Sequence, residues 1–420
     1  MTTAEMTTAS VEQRAHSEVK RTRRAFYGPA FVAAVAYVDP GNFATNFQAG
    51  AKFGYLLVWV LVVANAVAMF IQYLSSKIGL ATGTDLSTLC RRSLPRPVSR
   101  ILWVQAELVV IATDLAEFVG AAIGLNLLFG VRLFPAGVAT AVISFAVLAL
   151  QRRGYRPFEV AITFLLSLIG FGFLYQLFAL GGQSPAGIAA GMVPRLAGTA
   201  SLTLAVGIIG ATVMPHVIYL HSAITAQRLS PRTPHAKRVA LRSLRIDCVS
   251  GLGLAGLINL AMFCVAVALF HRRGGDYSGS LQAAHHSLGQ TVSGMAALAF
   301  AVALLASGLS SSGVGTYAGQ VVMQGFLRRR IPLLLRRGIT MAPALIALAA
   351  GFSPDSVLVI SQVVLSFGIP FALVPLVMFT RSRELMGDYV NRPLTTGIGA
   401  VLAFVLSGLN LYLLGQILLG

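Results

Sequence analysis

Two runs of this 420-residue chain set metal-ligating groups beside a proline inside otherwise apolar sequence. In AFVAAVAYVDPGNFATNFQAG, the run Asp39-Pro40-Gly41-Asn42 offers a hard carboxylate and an amide oxygen. In LTLAVGIIGATVMPHVIYLHS, Gly210 and Pro215 bracket Ala211 to Met214, and Met214 contributes a thioether. Proline removes a backbone donor and disfavours the α conformation in the residue before it. Both runs are therefore expected to unwind and to expose carbonyls, that of Ala211 among them. A simple kink would account for the prolines but not for Asp39, since a charge in apolar surroundings is costly. Carboxylate, amide and carbonyl oxygens suit any hard divalent cation, Mg²⁺ and Ca²⁺ included. A sulfur ligand shifts the preference towards first-row transition metals. No cysteine or cluster of histidines adjoins either run to hold Zn²⁺ or copper tightly, so the expected site is weak and exchangeable.

A second constellation can move protons. The chain has only 14 acidic residues, and Glu107, Asp114 and Glu117 follow one another at spacings of seven and three within one apolar stretch. Those spacings place all three on one helical face. Intramembrane carboxylates mark proton and ion paths by default, although a static ion-pair network that ties helices together would also explain them. Arg336 and Arg337 are the natural partners. A metal arriving at Asp39 displaces its proton, which then needs a second acceptor, and Asp114 is the candidate. His216 has the side chain whose charge changes nearest neutral pH; as the residue after Pro215 it can equally serve only to shape the break. His216 and His221 are five residues apart, about 140° around a helix, and no HExxH run is present, which argues against an intramembrane metalloprotease. Asp247 reads as an end-of-helix charge, and Cys90, Cys248 and Cys264, lacking CxxC spacing, read as packing residues.

The elements that position these groups follow from composition. Hydrophobic residues make up 56% of the chain and charged residues 11%, and mean hydropathy is +0.77. A soluble domain is typically about one quarter charged. A soluble enzyme, a disordered regulator and a fibrous protein are thereby excluded, and a polytopic membrane protein is expected. Eleven apolar stretches approach the length of a membrane-spanning helix, at about residues 27–50, 55–76, 101–128, 133–150, 158–180, 199–224, 247–270, 294–325, 338–353, 356–379 and 394–418. The first 25 residues are polar and basic with no apolar core before a cleavage site, so a flexible tail is expected there and not a signal peptide. Alternate connectors divide the Lys and Arg residues 27 to 5, with the tail on the rich side. By the positive-inside rule the N-terminus is cytoplasmic and, with eleven spans, the C-terminus extracytoplasmic. This asymmetry also accounts for the net charge of +18 without nucleic acid; the basic connectors read as topology determinants.

The two broken runs fall in the first and sixth spans, at equivalent places in two five-span halves. That is the pattern of inverted-repeat secondary transporters, whose substrate sits at paired broken helices near the midplane. The expected organisation is a cytoplasmic tail (1–25), a first five-helix repeat (26–180), an extracellular connector (181–198), a second, inverted repeat (199–380), and a connector with the eleventh helix (381–420).

DPGN in the first span and MPH in the sixth resemble the motifs of the Nramp family of divalent-metal/proton symporters. The likeness extends to GNFATNFQAG (41–50), WVQAELVVIATDLAEF (103–118), SSGVGTYAGQ (311–320), RRGITMAPA (336–344) and SQVVLSFGIPFALVPL (361–376), nearly the whole chain. The resemblance implies the LeuT-like inverted-repeat fold. It implies that Asp39, Asn42, Met214 and the Ala211 carbonyl ligate the metal, and that Gln362 joins them in an occluded state. It also supports Asp39 and Asp114 as the proton-handling pair, with Arg336 and Arg337 as partners of the carboxylate stripe. Relatives that carry Mg²⁺ or Al³⁺ lack the methionine, which this chain retains. The short tail and the missing twelfth span resemble bacterial members and imply the inner membrane.

The expected activity is import of Mn²⁺, and of Fe²⁺ and related ions, coupled to protons by alternating access. Metal and protons are then transported substrates, no cofactor is required, the surroundings are lipid, and a monomer suffices. An amino-acid or organic-cation symporter of the same architecture would hold its ligand on free backbone amides and would not need Met214. A metal-gated channel or a sensor would lack saturable, stoichiometric flux.

Overall fold

The computed structural model describes residues 29–151, 155–228, 233–272, 280–329 and 331–419. The expected tail lies outside them. Each of the eleven expected spans coincides with a helix or a pair of half-helices, and no strand occurs among the described residues. The first span is split into α1 (Pro29–Ala36) and α2 (Pro40–Phe53). The next four are α3 (Val58–Thr82), followed by the short α4 (Leu86–Ser93), then α5 (Arg96–Phe129), α6 (Leu133–Gln151) and α7 (Tyr155–Leu180). A one-and-a-half-turn helix, α8 (Pro185–Ala190), precedes the split sixth span, α9 (Gly198–Val213) and α10 (Pro215–Arg228). The remainder comprises α11 (Pro234–Ala266), the connector helix α12 (Leu281–Thr291), α13 (Gly294–Leu327), α14 (Leu333–Ala349), α15 (Pro354–Thr380), the single turn α16 (Arg383–Met386) and α17 (Pro393–Leu419). Among the described residues eight helical stretches are long and apolar enough to cross a membrane, Pro40–Thr82 counting as one, and Leu133–Ala146 is a shorter apolar helix.

Local chemistry sets many of the ends. Asp85 caps α4 by accepting the Thr88 N–H at 2.8 Å, and Thr233 and Ser293 cap α11 and α13 in the same manner. Gly83 and Gly130 stop α3 and α5 in the left-handed conformation, at φ 64° and 66°. Asp355, in the first turn of α15, accepts the Leu281 N–H at 2.8 Å and so ties α12 to that helix.

Contacts between connectors separate the molecule into two ends. At one end Lys77 donates to Asn391 Oδ1 at 2.7 Å, Arg91 donates to the Gly325 carbonyl at 2.6 Å, and the Lys237 ammonium lies 5.7 Å from the centre of the Tyr389 ring. At the other, Tyr55 donates to Gln183 at 2.9 Å and Trp59 to the Arg195 carbonyl at 3.1 Å. The described parts of the basic connectors after the second, sixth, eighth and tenth spans thus gather at the first end, as the alternation of charge requires.

Two expectations need correction. Asp247 is not at a helix end: α11 begins at Pro234, and Asp247 is buried within it. The residues from Pro234 to Arg245 are too polar to register as a span, yet the helix capped by Thr233 runs straight through them. Arg336 and Arg337, counted above with a basic connector, lie instead within α14. They are buried in its first two turns, as the partner reading expects, and so do not serve as topology charges.

Candidate metal site and proton route

The breaks are shorter than the prolines suggested. Pro40, Gly41 and Asn42 form the first turn of α2, and only Tyr37, Val38 and Asp39 leave the helical path. Asp39 is the N-cap, its Oδ1 accepting the Asn42 N–H at 2.7 Å. The Asn42 side-chain amide meets the same carboxylate. With its oxygen towards the Asp39 N–H it closes a capping box at 3.3 Å; turned over, its nitrogen donates to Asp39 Oδ1 at 2.7 Å and to the Tyr37 carbonyl at 3.2 Å. The second orientation makes the shorter bonds. In the sixth span Gly210 and Ala211 stay helical and only Met214 departs, at φ 39° and ψ 91°. A non-glycine residue at positive φ costs on the order of 1–3 kcal/mol. Pro215 nevertheless has no N–H to offer the Ala211 carbonyl four residues earlier, so that oxygen is released without any unwinding. The ends of α1 and α9 at the breaks are helix C-termini, whose dipoles favour a cation.

Unwound backbone inside an apolar bundle must find other partners. Asn259 of α11 donates to the Tyr37 carbonyl at 2.7 Å and Ser307 of α13 to the Val38 carbonyl at 2.6 Å. The Tyr37 hydroxyl donates to the Val213 carbonyl at 3.4 Å, joining one break to the other. It accepts from Gln72 Nε2 at 2.7 Å, and Gln72 Oε1 lies 3.0 Å from His221 Nδ1. The sequence alone does not single out Tyr37, Gln72, Asn259, Ser307 or this role of His221. A polar side chain within an apolar stretch was the available signal.

Gln362 locates the centre. A Cβ on Gly41 would overlap the Gln362 side-chain amide, and a Cβ on Gly210 would overlap the Gln362 carbonyl and approach Ser366 N to 2.8 Å. Both broken helices therefore close on α15 at one residue. Asp39, Asn42, Ala211, Met214 and Gln362 are all buried. Asp39 Oδ2 and Gln362 Oε1 have no hydrogen-bond partner among the described residues. Two buried acceptor oxygens left unpaired are a costly arrangement, and a bound cation would relieve it. The Phe43, Phe47, Phe173 and Phe300 rings pack edge-on or tilted, with centroids 5.1 to 6.3 Å apart, and close one side of α2 with apolar surface.

The two glycines lead to different expected outcomes. Gly210→Ala pushes a methyl group into the backbone of α15, which cannot rotate away, so the melting temperature should fall, in keeping with roughly 1–3 kcal/mol for overpacking. Gly41→Ala displaces only the end of a flexible side chain and should leave the melting temperature within a few degrees while reducing metal binding. Thermal scans and metal titrations of the two proteins, side by side, decide it.

The acidic stripe continues from this centre. Gly120 of α5 packs against the Pro40 ring, one turn from Glu117. Glu117 and Asp114 both line Gly315 of α13, whose Cβ position lies 2.9 Å from Glu117 Oε2 and 3.1 Å from Asp114 Oδ1. Asp114 pairs with Arg337 at 3.0 Å, both side chains 1% exposed. Arg337 also donates to Thr316 at 3.0 Å and to the Ser312 hydroxyl. Glu107 pairs separately with Arg336 at 2.7 Å and is 16% exposed, nearer the basic end and away from the breaks. From Gly120 to Glu107 the stripe runs thirteen residue steps, about 20 Å of helix. His216 joins it from the other side, its Nδ1 3.2 Å from the Thr113 hydroxyl, next to Asp114. No group of three or more His, Cys, Asp or Glu side chains poised for a metal occurs among the described residues. The donor set at the breaks is of a different kind, one carboxylate with amide, carbonyl and thioether groups.

The chain matches the Nramp family, natural resistance-associated macrophage protein-like, over residues 30–416. It is 52% identical over 395 residues to the divalent metal cation transporter MntH of Deinococcus radiodurans, covering 94% of this chain and 90% of that one. The corresponding Bacillus subtilis protein is 48% identical over 389 residues, covering 93% and 91%. Among solved structures, that of the Eremococcus coleocola manganese transporter superposes with a TM-score of 0.83 at 34% identity, over 92% of this chain and 85% of the other. Mhp1, a nucleobase-cation-symport-1 family transporter, shares the fold alone, with a TM-score of 0.62 at 15% identity over 92% and 90%. An all-helical bundle of LeuT-like architecture, broken in its first and sixth spans, is thus joined to a sequence match that runs almost from end to end: the chain is a membrane transporter and belongs to the Nramp family.

Proposed function

We propose that this protein imports divalent transition metals, Mn²⁺ foremost and Fe²⁺ with it, together with protons, by alternating access in a bacterial plasma membrane. The single observation that supports the site is the convergence of both breaks on Gln362, with Asp39 Oδ2 and Gln362 Oε1 buried and unpartnered. Asp39, Asn42 and Gln362 would supply oxygens, Ala211 its released carbonyl, and Met214 a soft thioether that hard Mg²⁺ and Ca²⁺ do not reward. The proton set free at Asp39 passes to the carboxylates of α5, with Glu117 nearest the break and the Asp114–Arg337 pair beyond it. His216 serves as the link between the sixth span and that stripe. Residues 26–180 and 199–380 act as the two halves that rock about the site, joined by the 181–198 connector, with α17 as an appendage. The basic end faces the cytoplasm, the C-terminus lies outside, and one chain is sufficient.

Purified protein in liposomes with an internal pH dye tests this reading. Saturable Mn²⁺ uptake with internal acidification is expected under an inward proton gradient. Absence of Mn²⁺ uptake by protein shown to be folded would discard the metal assignment. Met214→Ala should retain a large part of the Mn²⁺ uptake and lose roughly tenfold or more in discrimination against Ca²⁺, about the 1–2 kcal/mol of one soft contact. Unchanged competition by excess Ca²⁺ removes Met214 from selectivity.

A further inference from the structure

A cavity of about 580 Å³ lies apart from the metal site, between α3, α11 and the segment that leads into α17. Lys77, Arg245 and Arg392 line it, against a single carboxylate, Asp388. Among the described residues none of the three cations forms an ion pair. Lys77 is only 9% exposed and has the Asn391 amide oxygen as its partner, at 2.7 Å. A nearly buried ammonium held by one neutral acceptor lacks a counter-charge, and a buried charge without one is costly.

The cavity is also amphipathic along its length. Met69, Phe70 and Val249 line its other part. Met69 precedes Lys77 by eight residues on α3, about 12 Å further from the basic end. Val249 is 53% exposed on α11, within a stretch apolar enough to span a membrane, so the apolar part opens sideways. The cations therefore sit where phosphate groups lie at a bilayer surface, and the apolar part continues at the depth of acyl chains. Basic pockets between helices at such a level recognise anionic headgroups.

We propose that this cavity binds an anionic phospholipid, its phosphate held by Lys77, Arg245 and Arg392 and one acyl chain lying along Met69, Phe70 and Val249. A free phosphate ion would satisfy the cations but leave the apolar part uncovered. The bound lipid bridges a helix of each half of the bundle. The basic connectors thus do more than set topology.

The test uses the full chain in a neutral detergent, with phosphatidylglycerol, phosphatidylcholine and inorganic phosphate added separately. Bound lipid is read by native mass spectrometry and melting temperature by a thermal scan. Phosphatidylglycerol should be retained and should raise the melting temperature, with phosphatidylcholine having little effect. The exposed pair Arg245→Gln and Arg392→Gln, which spares the Lys77–Asn391 bond, should weaken phosphatidylglycerol retention roughly tenfold or more. Arg238→Gln with Arg242→Gln, outside the cavity, should not. Equal loss in both double variants would mean unspecific attraction to a basic face and would overturn the site. Equal retention of the two lipids would overturn it as well, and matching stabilisation by inorganic phosphate would replace the lipid with a soluble anion.

Discussion

Asp39→Ala is expected to reduce Mn²⁺ uptake to the level of protein-free liposomes while the protein still folds. The carboxylate is the only formal negative charge among the five proposed ligands, and its Oδ2 has no competing hydrogen bond among the described residues. Without it a divalent ion would meet only neutral donors after losing its hydration shell. The same side chain caps α2, and replacing an Asp cap by Ala costs about 0.5–2 kcal/mol, so a lower melting temperature alone would be ambiguous. Asp39→Asn resolves the matter, because asparagine caps a helix as well as aspartate does but brings no charge. Uptake should be lost in both variants, with stability restored in the second. Substantial Mn²⁺ uptake by folded Asp39→Asn would show that Asp39 is a cap and not the ligand that anchors the ion.

Asp114 and Arg337 carry the second prediction. Asp114→Asn should sever proton movement from metal movement: Mn²⁺ uptake persists in part, and internal acidification disappears. Arg337→Met should behave differently. It leaves Asp114 and Glu117 together in a buried setting with no cation, and removing one partner of a buried pair costs about 3–5 kcal/mol. The single variant should therefore express poorly or melt far below the parent. Combining Arg337→Met with Asp114→Asn removes the stranded charge and should recover much of the lost stability. Arg337 is 1% exposed and also donates to Thr316 and Ser312, so recovery is expected to be incomplete. Proton influx retained in Asp114→Asn would leave the pair as a structural tie between α5 and α14, and the route would have to pass elsewhere.

Much of this architecture is legible in the chain because it arises from local or one-dimensional rules. Span lengths follow from runs of apolar residues, and the sidedness of connectors from where Lys and Arg fall. Pro40 and Pro215 lack an N–H wherever they are placed, so the interruption of two helices, and the release of the Ala211 carbonyl, could be read from their positions. The three carboxylates of α5 share a face because the helical period alone puts them there.

Other features depend on what the bundle brings alongside. Pro215 interrupts its span only at Met214, because α9 keeps its helical bonds up to the one donor that proline withholds. Tyr37 and Val38 could leave the helical path because Asn259 and Ser307, far away in the chain, donate hydrogen bonds to their carbonyls. Arg337 and Arg336 are adjacent in sequence, yet one is sealed against Asp114 and the other joins Glu107 nearer the surface, a choice made by how α14 rotates against α5. Asp247 looked terminal because hydropathy fades before it, whereas helix α11 does not. Even the meeting of the two breaks rests on long-range packing: Gly41 and Gly210, 169 positions apart, both fit against Gln362 because neither has a side chain to keep it away. Backbone chemistry acts within a few residues and shows in a linear string; the pairing of charges and the closure of a site depend on distances that exist only once the helices have packed.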